Sequence, residues 1–412
     1  MSALIKSSPR LSHLDRLESE AIHIIREAAG ERTRLALLFS GGKDSATVLH
    51  LARKAFWPEK LPFPLLHVDT GHNFPEVLEF RDAEARRHGE RLIVRQVEDS
   101  IVRGTVKLAK GGELSYDRLV LSPGVDFLWD QIPGLAKADA QARILHAWKA
   151  GPQTVALRQQ LESMADGGVY ALSIPKAPYR CPPGPYERAC LVASYFKQHK
   201  PRSKVIVLDA NEEVVSKKGL FIKAWDDLYK GIVEYRHNSE VKDVDAGSAT
   251  AILEFDKCKA DVLNVVPPQR AADLAARTGL KLINNRWVDI NWLTMESANT
   301  PGIHVLGDAI FPAPTMPKSG HMANQHAKLA AAAIINLLAG QEPNPAPVVM
   351  NTCYSFVDPK NVIHVASVHQ YDPATRLVQP VKGAGGVSAA RNEVEGKVAL
   401  GWAKNIWADM LG

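Results

Sequence analysis

The stretch LLFSGGKDSATVLHLARK, residues 37–54, joins an apolar run to a glycine pair and then to apolar residues at helical spacing. This pattern predicts a strand, a tight turn and a helix. Two glycines let the backbone approach a phosphate closely, and a helix N-terminus presents unpaired N–H groups to an anion. The spacing is not that of a Walker loop. We therefore predict a phosphate-binding turn of another type at residues 40–45, rather than an ordinary strand-to-helix turn.

The alternation of strands and helices continues over residues 35–98 and predicts a parallel sheet. It is preceded by an amphipathic surface helix in the first 34 residues. The predicted strands are 35–39, 64–68 and 91–97, and the predicted helices are 44–55 and 75–88. From residue 104 to 124 the pattern changes to two or three short strands joined by glycine-rich turns.

The remainder of the chain contains a second α/β stretch, from about residue 167 to 266. Residues 300–340 then predict a strand, a Gly-Asp turn and a long alanine-rich helix, and residues 345–412 predict short strands followed by a C-terminal helix. The apolar run at 327–340 is shorter than the ~20 residues that cross a bilayer. We interpret it as a buried helix and predict no membrane span.

Composition is that of an ordinary globular protein of two or three domains, with 412 residues and 46% hydrophobic residues. Lys and Arg number 50 against 45 Asp and Glu, without a basic run, so nucleic acid is not an expected partner. The N-terminus lacks the features of a secretory signal, which predicts a cytoplasmic protein. Four cysteines without paired spacing exclude a disulfide scaffold and predict no metal site.

Residues 12–101 resemble the N-terminal part of the small subunit of sulfate adenylyltransferase, an ATP-pyrophosphatase-loop family. The resemblance rests on SGGKDS, on LARKAFWPEKLPFPLLHVDTGHNFPEVLEFRD and on ERLIVRQVEDSI. It implies synthesis of adenosine phosphosulfate from ATP and sulfate, with a large GTPase subunit as partner. The residues implied to bind ATP are Ser40, Gly41, Gly42, Lys43, Asp44 and Ser45 at the phosphates, and 67–69, including Asp69, near the nucleoside.

The segment TPGIHVLGDA, residues 300–309, indicates a flavin site, because an aspartate after such a strand can bind a ribityl or ribose hydroxyl. The alternative is a plain surface turn. YDRLVLSPG at 116–124 resembles the strand that closes the FAD domain of two-dinucleotide-domain flavoproteins. In the Gly-Asp turn, Asp308 is the residue expected to accept the hydroxyl.

From residue 104 to the C-terminus the chain resembles the flavoprotein subunit of flavocytochrome c sulfide dehydrogenase, a relative of sulfide:quinone oxidoreductase. The motifs are YRCPPGPYERA (179–189), PTMPKSGHMANQHAK (314–328) and NTCYSFVDP (351–359). The resemblance implies FAD, sulfide as substrate, a haem-bearing cytochrome c partner and a periplasmic location. The residues it implies are Cys181 and Cys353 as a redox disulfide, Glu187 as acid/base, and Gly307, Asp308, Lys318, Ser319 and Gly320 at the cofactor.

Residue chemistry agrees with this reading, since hydrosulfide can open a disulfide to a persulfide and a thiolate. Glu187 could take up the proton if burial raises its pKa. We expect Cys190 and Cys258 to be buried apolar side chains. For His321 and His326 we expect solvated or capping roles.

Two glycine fingerprints are missing. The strand VYALSI is followed by PKAPYRCPPGPYER, which lacks Gly-x-Gly-x-x-Gly and makes NAD(P)H an unexpected partner. The flavoprotein family's own N-terminal fingerprint for the FAD pyrophosphate is also absent, and the two resemblances meet near 101–104. Three hypotheses follow: a flavin-dependent sulfide oxidoreductase, an ATP-binding protein, or a rearranged chain with neither activity.

The predicted fold class is α/β, with a Rossmann-like parallel-sheet N-terminal unit joined to a partial two-dinucleotide-domain flavoprotein and a small α+β C-terminal domain. The predicted domains are an ATP-pyrophosphatase-loop fragment at 1–101, a partial FAD-binding domain at 102–165 and 290–342, a second nucleotide-binding-like domain at 166–289, and a sulfide-dehydrogenase-type domain at 343–412.

Overall fold

The computed structural model describes residues 12–31, 35–69, 75–96, 105–108 and 113–411. The chain divides into two compact units, Met1–Asp117 and Arg118–Gly412. This boundary lies beyond the predicted one at residue 101.

The N-terminal unit is built on one five-stranded sheet of order β1-β2-β3-β4-β5, whose first three strands are parallel. The parallel sheet expected from the alternating pattern is confirmed. Its small core includes Phe39, Leu49, Leu65 and Ala85. The elements are α1 (His13–Glu31), β1 (Leu37–Leu38), α2 (Lys43–Phe56), β2 (Leu65–Asp69), α3 (Pro75–His88), β3 (Leu92–Gln96), β4 (Thr105–Leu108) and β5 (Glu113–Ser115).

Strands β4 and β5 continue this sheet across the point where the two sequence resemblances meet. β4 pairs antiparallel with β3, with Gln96 opposite Lys107, and β5 pairs antiparallel with β4. Residues 105–108 and 113–115 therefore belong to the N-terminal sheet in the structure, because unpaired strand edges gain hydrogen bonds by extending an existing ladder.

The second unit centres on a four-stranded parallel sheet of order β10-β9-β8-β14. In chain order this is 3-2-1-4, the order of a nucleotide-binding Rossmann half, with its topological switch point between β8 and β14. Helices α5, α6 and α7 belong to the same part of the unit. The bounds are α4 (Ala138–Arg143), α5 (Pro152–Ser163), β8 (Val169–Ile174), α6 (Gly184–His199), β9 (Lys204–Asp209), α7 (Lys218–Leu228), β10 (Val233–Arg236), β11 (Asp243–Asp245), β12 (Thr250–Ile252), β13 (Lys257–Lys259) and β14 (Val262–Val265).

The segments before and after this sheet contain short strands, and one long helix follows the turn at Gly307–Ala309. β6 pairs parallel with β19, and β7 pairs antiparallel with β15. The bounds are β6 (Leu119–Leu121), β7 (Val125–Phe127), β15 (Gln269–Ala271), α8 (Asp273–Arg277), β16 (Leu282–Ile283), β17 (Trp287–Val288), β18 (Glu296–Ser297), β19 (Thr300–Val305) and α9 (Gly320–Leu338).

The C-terminal part is an antiparallel sheet with a helix against it. Its strands are longer than the short ones predicted, with 9, 11 and 11 residues. The bounds are β20 (Val348–Phe356), β21 (Val362–Asp372), β22 (Leu377–Val387) and α10 (Glu393–Leu411).

Helix α9 corrects one sequence prediction, since the run at 327–340 is not a buried helix. Ile335 and Leu338 are 67% and 60% exposed, and only one side of the helix is covered. Alanines made the run look apolar although each contributes little area to burial. In the part of the chain that the structure describes, no helix has the length and hydrophobicity to cross a membrane.

Candidate functional site

Cys181 lies in the connection from β8 to α6, beyond the carboxyl end of the first strand of the parallel sheet. Its φ of 56° is in the left-handed region, which non-glycine residues seldom adopt. Two hydrogen bonds fix it there: its N–H donates to the carbonyl of Lys318 at 2.7 Å, and its carbonyl accepts from the N–H of Gly184 at 2.9 Å. The thiol is thus held at the switch point, where open α/β sheets bind their ligands.

Cys353 lies near the end of β20 and is close enough to Cys181 to act on it electrostatically. Its Sγ–H donates to Oδ1 of Asn351 at 3.4 Å. Burial, with the charges of Cys353 and Glu187, raises the pKa of the Cys181 thiol to about 12. Both cysteines are free thiols in this structure and both are partly exposed. The two side chains predicted to react are therefore brought together from different parts of the chain.

Glu187, in the first turn of α6, belongs to the same cluster. Its Oε1 accepts a hydrogen bond from the N–H of Phe356 at 2.9 Å. Burial raises the pKa of the Glu187 carboxyl, while the Phe356 N–H, Lys217 and Ser355 act in the opposite direction. A raised pKa is what the predicted acid/base role would require, and that role stays a prediction.

Lys217 completes the cluster and was missed by sequence reasoning. Its Nζ donates to Oγ of Ser355 at 2.7 Å, to the carbonyl of Cys353 at 3.1 Å and to the carbonyl of Ile363 at 3.5 Å. Its neighbour Lys218 is a surface residue paired with Glu213. Two adjacent lysines in a sequence predict an exposed surface segment. The burial of Lys217 is therefore visible only in the folded structure.

Two open spaces adjoin the cluster. The first, which we call the cysteine cleft after the cluster it adjoins, has a volume of about 500 Å³. Its lining includes Pro182, Lys217, Lys318 and Asn351 but neither Cys181 nor Cys353. The second is a mainly apolar groove of about 640 Å³ between α5 and α6 that reaches Gly184 and Glu187. A Cβ added at Gly184 would lie 2.9 Å from Cys181 Sγ. The groove therefore comes close to the Cys181 thiol at Gly184.

Asp308 sits in the turn Gly307–Ala309 that follows β19. Its Oδ1 is buried and has no hydrogen-bond partner among the residues that the structure describes. Its Oδ2 lies 3.6 Å from Nε of Arg180, the residue before Cys181. Burial raises the pKa of the Asp308 carboxyl, against the charges of Arg180 and Lys318. An unpartnered buried oxygen is the acceptor that a ligand hydroxyl needs, so this turn fits the ribityl chain of a flavin.

The other predicted cofactor residues support this turn. Lys318 Nζ donates to the carbonyls of Asp308 at 2.8 Å and Ile310 at 2.6 Å and lies 3.7 Å from the centre of the Trp287 ring. Ser319 caps α9, since its Oγ accepts from the N–H of Met322 at 3.0 Å. Gly320 is the first residue of that helix, whose N-terminus favours electron-rich groups.

The two histidines of this region differ from the solvated or capping roles expected. His326 is 2% exposed, both ring nitrogens lack partners among the described residues, and burial lowers the pKa of its imidazole to about 3. Nδ1 of His321 accepts from the N–H of Thr352 on β20 at 2.9 Å. His321 therefore faces β20, whereas the ring of His326 lies 5.7 Å from the ring of Trp292, and helix spacing alone did not reveal either position. Cys190 and Cys258 are buried, as predicted.

In the N-terminal unit, the loop at residues 40–45 forms the predicted turn into α2. The N–H of Gly42 donates to Oγ of Ser40 at 3.3 Å, and the Ser45 hydroxyl donates to the Gly42 carbonyl at 2.9 Å. Gly41 has a φ of 80°. Lys43 and Asp44 begin α2, whose first turn has no side-chain cap and leaves N–H groups for an anion.

Residues 67–69, which the sequence resemblance predicts to lie near the nucleoside, end β2. His67 is buried and its Nδ1 lies 2.9 Å from the carbonyl oxygen of Phe39. Asp69 ends β2, and its side chain lies outside the described residues. No group of three or more metal-ligating side chains occurs in the described ranges.

Comparison with family models gives different families for the N-terminal and later parts of the chain, with matches that overlap at residues 154–160. Residues 154–267 match the central domain of the sulfide dehydrogenase [flavocytochrome c] flavoprotein chain, and residues 345–411 match the flavin-binding domain of flavocytochrome c sulphide dehydrogenase. Residues 34–160 match the phosphoadenosine phosphosulfate reductase domain. The resemblances found in the sequence are therefore confirmed.

Individual relatives agree. Sulfate adenylyltransferase subunit 2 of Mycolicibacterium gilvum is 62% identical over 96 residues, which is 23% of this chain and 31% of that protein. The chain thus spans about a third of the length of the curated relatives it matches. The structure of sulfide:quinone oxidoreductase from Aquifex aeolicus aligns with a TM-score of 0.56 at 14% identity, covering 91% of each chain. A chain of the Tetrahymena thermophila mitochondrial ATP synthase structure aligns with a TM-score of 0.53 at 16% identity, covering 82% of this chain and 89% of that one.

These likenesses establish the fold class and the two-part organisation. The structure is mixed α/β with parallel sheets, similar in fold to a flavoprotein oxidoreductase. The chain combines a sulfate adenylyltransferase subunit 2-like segment with two segments of flavocytochrome c sulfide dehydrogenase flavoprotein type.

Proposed function

We propose that the chain is a FAD-dependent oxidoreductase that oxidises sulfide at the pair Cys181 and Cys353. The observation that carries this proposal is the clustering of two cysteines and a buried carboxylate at the switch point of a Rossmann-type sheet. The two matched segments contribute one cysteine each. A haem-bearing cytochrome c subunit as electron acceptor belongs to the proposal.

Asp308 and the N-terminus of α9 are the groups that would hold the flavin. The Oδ1 of Asp308, which has no partner among the described residues, would accept a hydrogen bond from a ribityl hydroxyl. Lys318 would stabilise the conformation of the turn through its hydrogen bonds to two carbonyls. When bound, FAD supplies a two-electron acceptor. The sequence offers no glycine fingerprint for the pyrophosphate, so flavin retention is the first property to measure.

The chemistry assigned to the chain itself starts from the oxidised pair, Cys181 joined to Cys353 by a disulfide. Glu187, as carboxylate, takes a proton from hydrogen sulfide. The resulting hydrosulfide attacks one sulfur of the disulfide, forming a new S–S bond while the old one breaks. The products are a persulfide on one cysteine and a thiolate on the other, which together hold the two electrons to be passed on.

An absorption spectrum of the purified protein tests this proposal. The protein is reconstituted with FAD, freed of excess cofactor and titrated with sulfide without oxygen. Flavin bands that co-purify and bleach on addition of sulfide are the expected result. A protein that retains no flavin, or whose flavin bands persist in excess sulfide, refutes the proposal.

Glu187→Gln is expected to slow flavin reduction about tenfold near neutral pH, since hydrosulfide already present in solution partly bypasses the lost base. Because burial raises the pKa of Glu187, the wild-type protein should lose rate on acidification at a higher pH than an exposed glutamate would dictate. The variant lacks this titration, so its deficit should shrink as the pH falls. Stopped-flow reduction rates across pH measure both effects, and parallel pH profiles would exclude Glu187 as the base.

A second candidate function is ATP binding at residues 40–45. The uncapped first turn of α2 behind two glycines favours it, together with the 62% identity to sulfate adenylyltransferase subunit 2. Adenosine phosphosulfate synthesis, and a large GTPase subunit as partner, would accompany this function. ATP binding to the purified protein, measured by calorimetry, tests it directly.

Gly41→Ala is expected to weaken ATP binding about tenfold. The added Cβ would lie 2.9 Å from Val77 Cγ1 and 3.2 Å from the Val77 carbonyl oxygen, at a φ of 80° that costs an L-residue ~1–2 kcal/mol. Gly30→Ala is the matched control, since its Cβ meets nothing within 4 Å. Equal ATP affinity in both variants would contradict the assignment of the loop.

A further inference from the structure

Lys217 is a buried ammonium that the proposed chemistry leaves without a role. It is 7% exposed, and its three hydrogen-bond acceptors lie on the strand of Cys353 and its neighbour β21. Its own backbone has a φ of 54°, so the chain adopts an unfavourable conformation to place this side chain. Lys217 also lines the cysteine cleft.

The hydrogen bonds of Lys217 leave its charge uncompensated. A carbonyl or a hydroxyl satisfies an N–H group but carries no net charge, and a buried ammonium is costly without an anion nearby. The ionisable groups that act on Lys217 are, in decreasing order, Cys353, Glu187, Cys181 and Glu395. Burial lowers the pKa of Lys217 to about 8, and these four groups oppose that shift. Of these groups, Cys353 is the one whose negative charge, when present, acts most strongly on the ammonium.

We propose that Lys217 is a positioning residue for the cysteine pair, which holds Cys353 through its main-chain carbonyl and stabilises negative charge on its sulfur. This inference rests on the proposed function. Hydrosulfide attack on Cys181 Sγ forms one S–S bond and breaks another, and the electron pair of the broken bond stays on Cys353 as a thiolate. Because the ammonium is held against the main chain of Cys353, its charge favours Cys353 as the leaving sulfur, since a stabilised thiolate leaves faster.

A purely structural role for Lys217 predicts different behaviour, and Lys200 provides the comparison. Lys200 is also a buried ammonium at 8% exposure, and it donates to the carbonyls of Glu162 and Met164. Within the part of the chain that the structure describes, no cysteine is a hydrogen-bond partner of Lys200. If Lys217 only joins β20 to β21, neutralising either lysine should affect folding but leave the ionisation of Cys353 unchanged.

The test uses the full-length chain, reduced and without flavin or sulfide, so that its outcome is independent of cofactor binding. Alkylation of Cys353 by iodoacetamide is followed by mass spectrometry from acidic to alkaline pH. Lys217→Gln, which keeps two donors but loses the charge, should slow alkylation of Cys353 about tenfold near pH 8 and move the midpoint to higher pH. Lys217→Arg should stay within about threefold of wild type, and Lys200→Gln should not change it. A wild-type profile in Lys217→Gln overturns the inference.

A second measurement decides the matter if Lys217→Gln fails to fold. Competitive acetylation reports the pH midpoint of Lys217 itself in the wild-type protein and in Cys353→Ser. Removing the thiolate should move the Lys217 midpoint to lower pH, because the ammonium loses its anionic neighbour. Identical midpoints in the two proteins overturn the inference. Neither arm depends on whether the protein reacts with sulfide, so failure of the proposed function and failure of this inference are separately visible.

Discussion

Replacement of Cys353 by serine is expected to slow reduction of bound flavin by sulfide at least ~100-fold while leaving the flavin in place. Serine cannot form a disulfide with Cys181, so hydrosulfide has no S–S bond to open and no persulfide forms. The fold should tolerate the change. Cys353 is partly exposed, and a serine hydroxyl can donate to Asn351 Oδ1 as the thiol does now. Flavin content and anaerobic reduction rate are measured on the same preparation.

Cys258→Ser is the matched control for this experiment. Cys258 lies on β13, is 4% exposed and packs in a different core from the one around α6. The substitution Cys258→Ser should slightly reduce the free energy of unfolding without affecting the rate of flavin reduction. A wild-type rate in Cys353→Ser would refute the disulfide role, and an equal loss in both variants would indicate general destabilisation instead.

Local sequence patterns predicted the elements that carry the site. The apolar run and glycine pair at 37–42 led to β1 and α2, and VYALSI led to β8. These predictions succeeded because hydrophobic periodicity and turn residues act over short stretches of chain. The role of Asp308 was also inferred locally, from a strand that ends in Gly-Asp before a helix. Its buried, unpartnered oxygen agrees with that inference.

The features that sequence reasoning missed depend on contacts between distant segments. Lys217 is separated by more than a hundred residues from Cys353, and nothing around it distinguishes it from the exposed Lys218. The burial of His326 depends on which side of α9 faces the rest of the unit. The continuation of the N-terminal sheet by β4 and β5 likewise depends on strand pairing, which sequence periodicity does not specify.

The turn Gly307–Ala309 and the cysteine pair are connected through one short segment. Arg180 pairs with Asp308, and its neighbour Cys181 donates its N–H to the carbonyl of Lys318. Lys318 in turn donates to the carbonyl of Asp308. A substitution in this turn can therefore also shift the Cys181 thiol. For variants of the turn, FAD affinity is thus a more direct measurement than the rate of sulfide oxidation.

Asp308→Ala is expected to weaken FAD binding about 50-fold, equivalent to roughly 2.3 kcal/mol, the range of a hydrogen bond to a charged group. The loss has two sources: the ribityl hydroxyl loses its acceptor, and the Arg180 guanidinium loses the carboxylate 3.6 Å away. Asp308→Asn keeps an acceptor oxygen but loses the charge. Its FAD affinity should lie between those of the wild-type protein and Asp308→Ala. Fluorescence titration of the apoprotein with FAD gives the affinities.

Asp289→Ala is the control for loss of an aspartate in the same unit, since Asp289 pairs with Lys281 at 2.7 Å and is more exposed than Asp308. It should leave FAD affinity unchanged. Wild-type affinity in Asp308→Ala would mean that the buried oxygen serves some other partner and that the flavin, if bound, is held elsewhere. A graded loss from Asp308→Asn to Asp308→Ala would instead place the cofactor at the turn after β19, because only a ligand at that turn responds to both the acceptor and its charge.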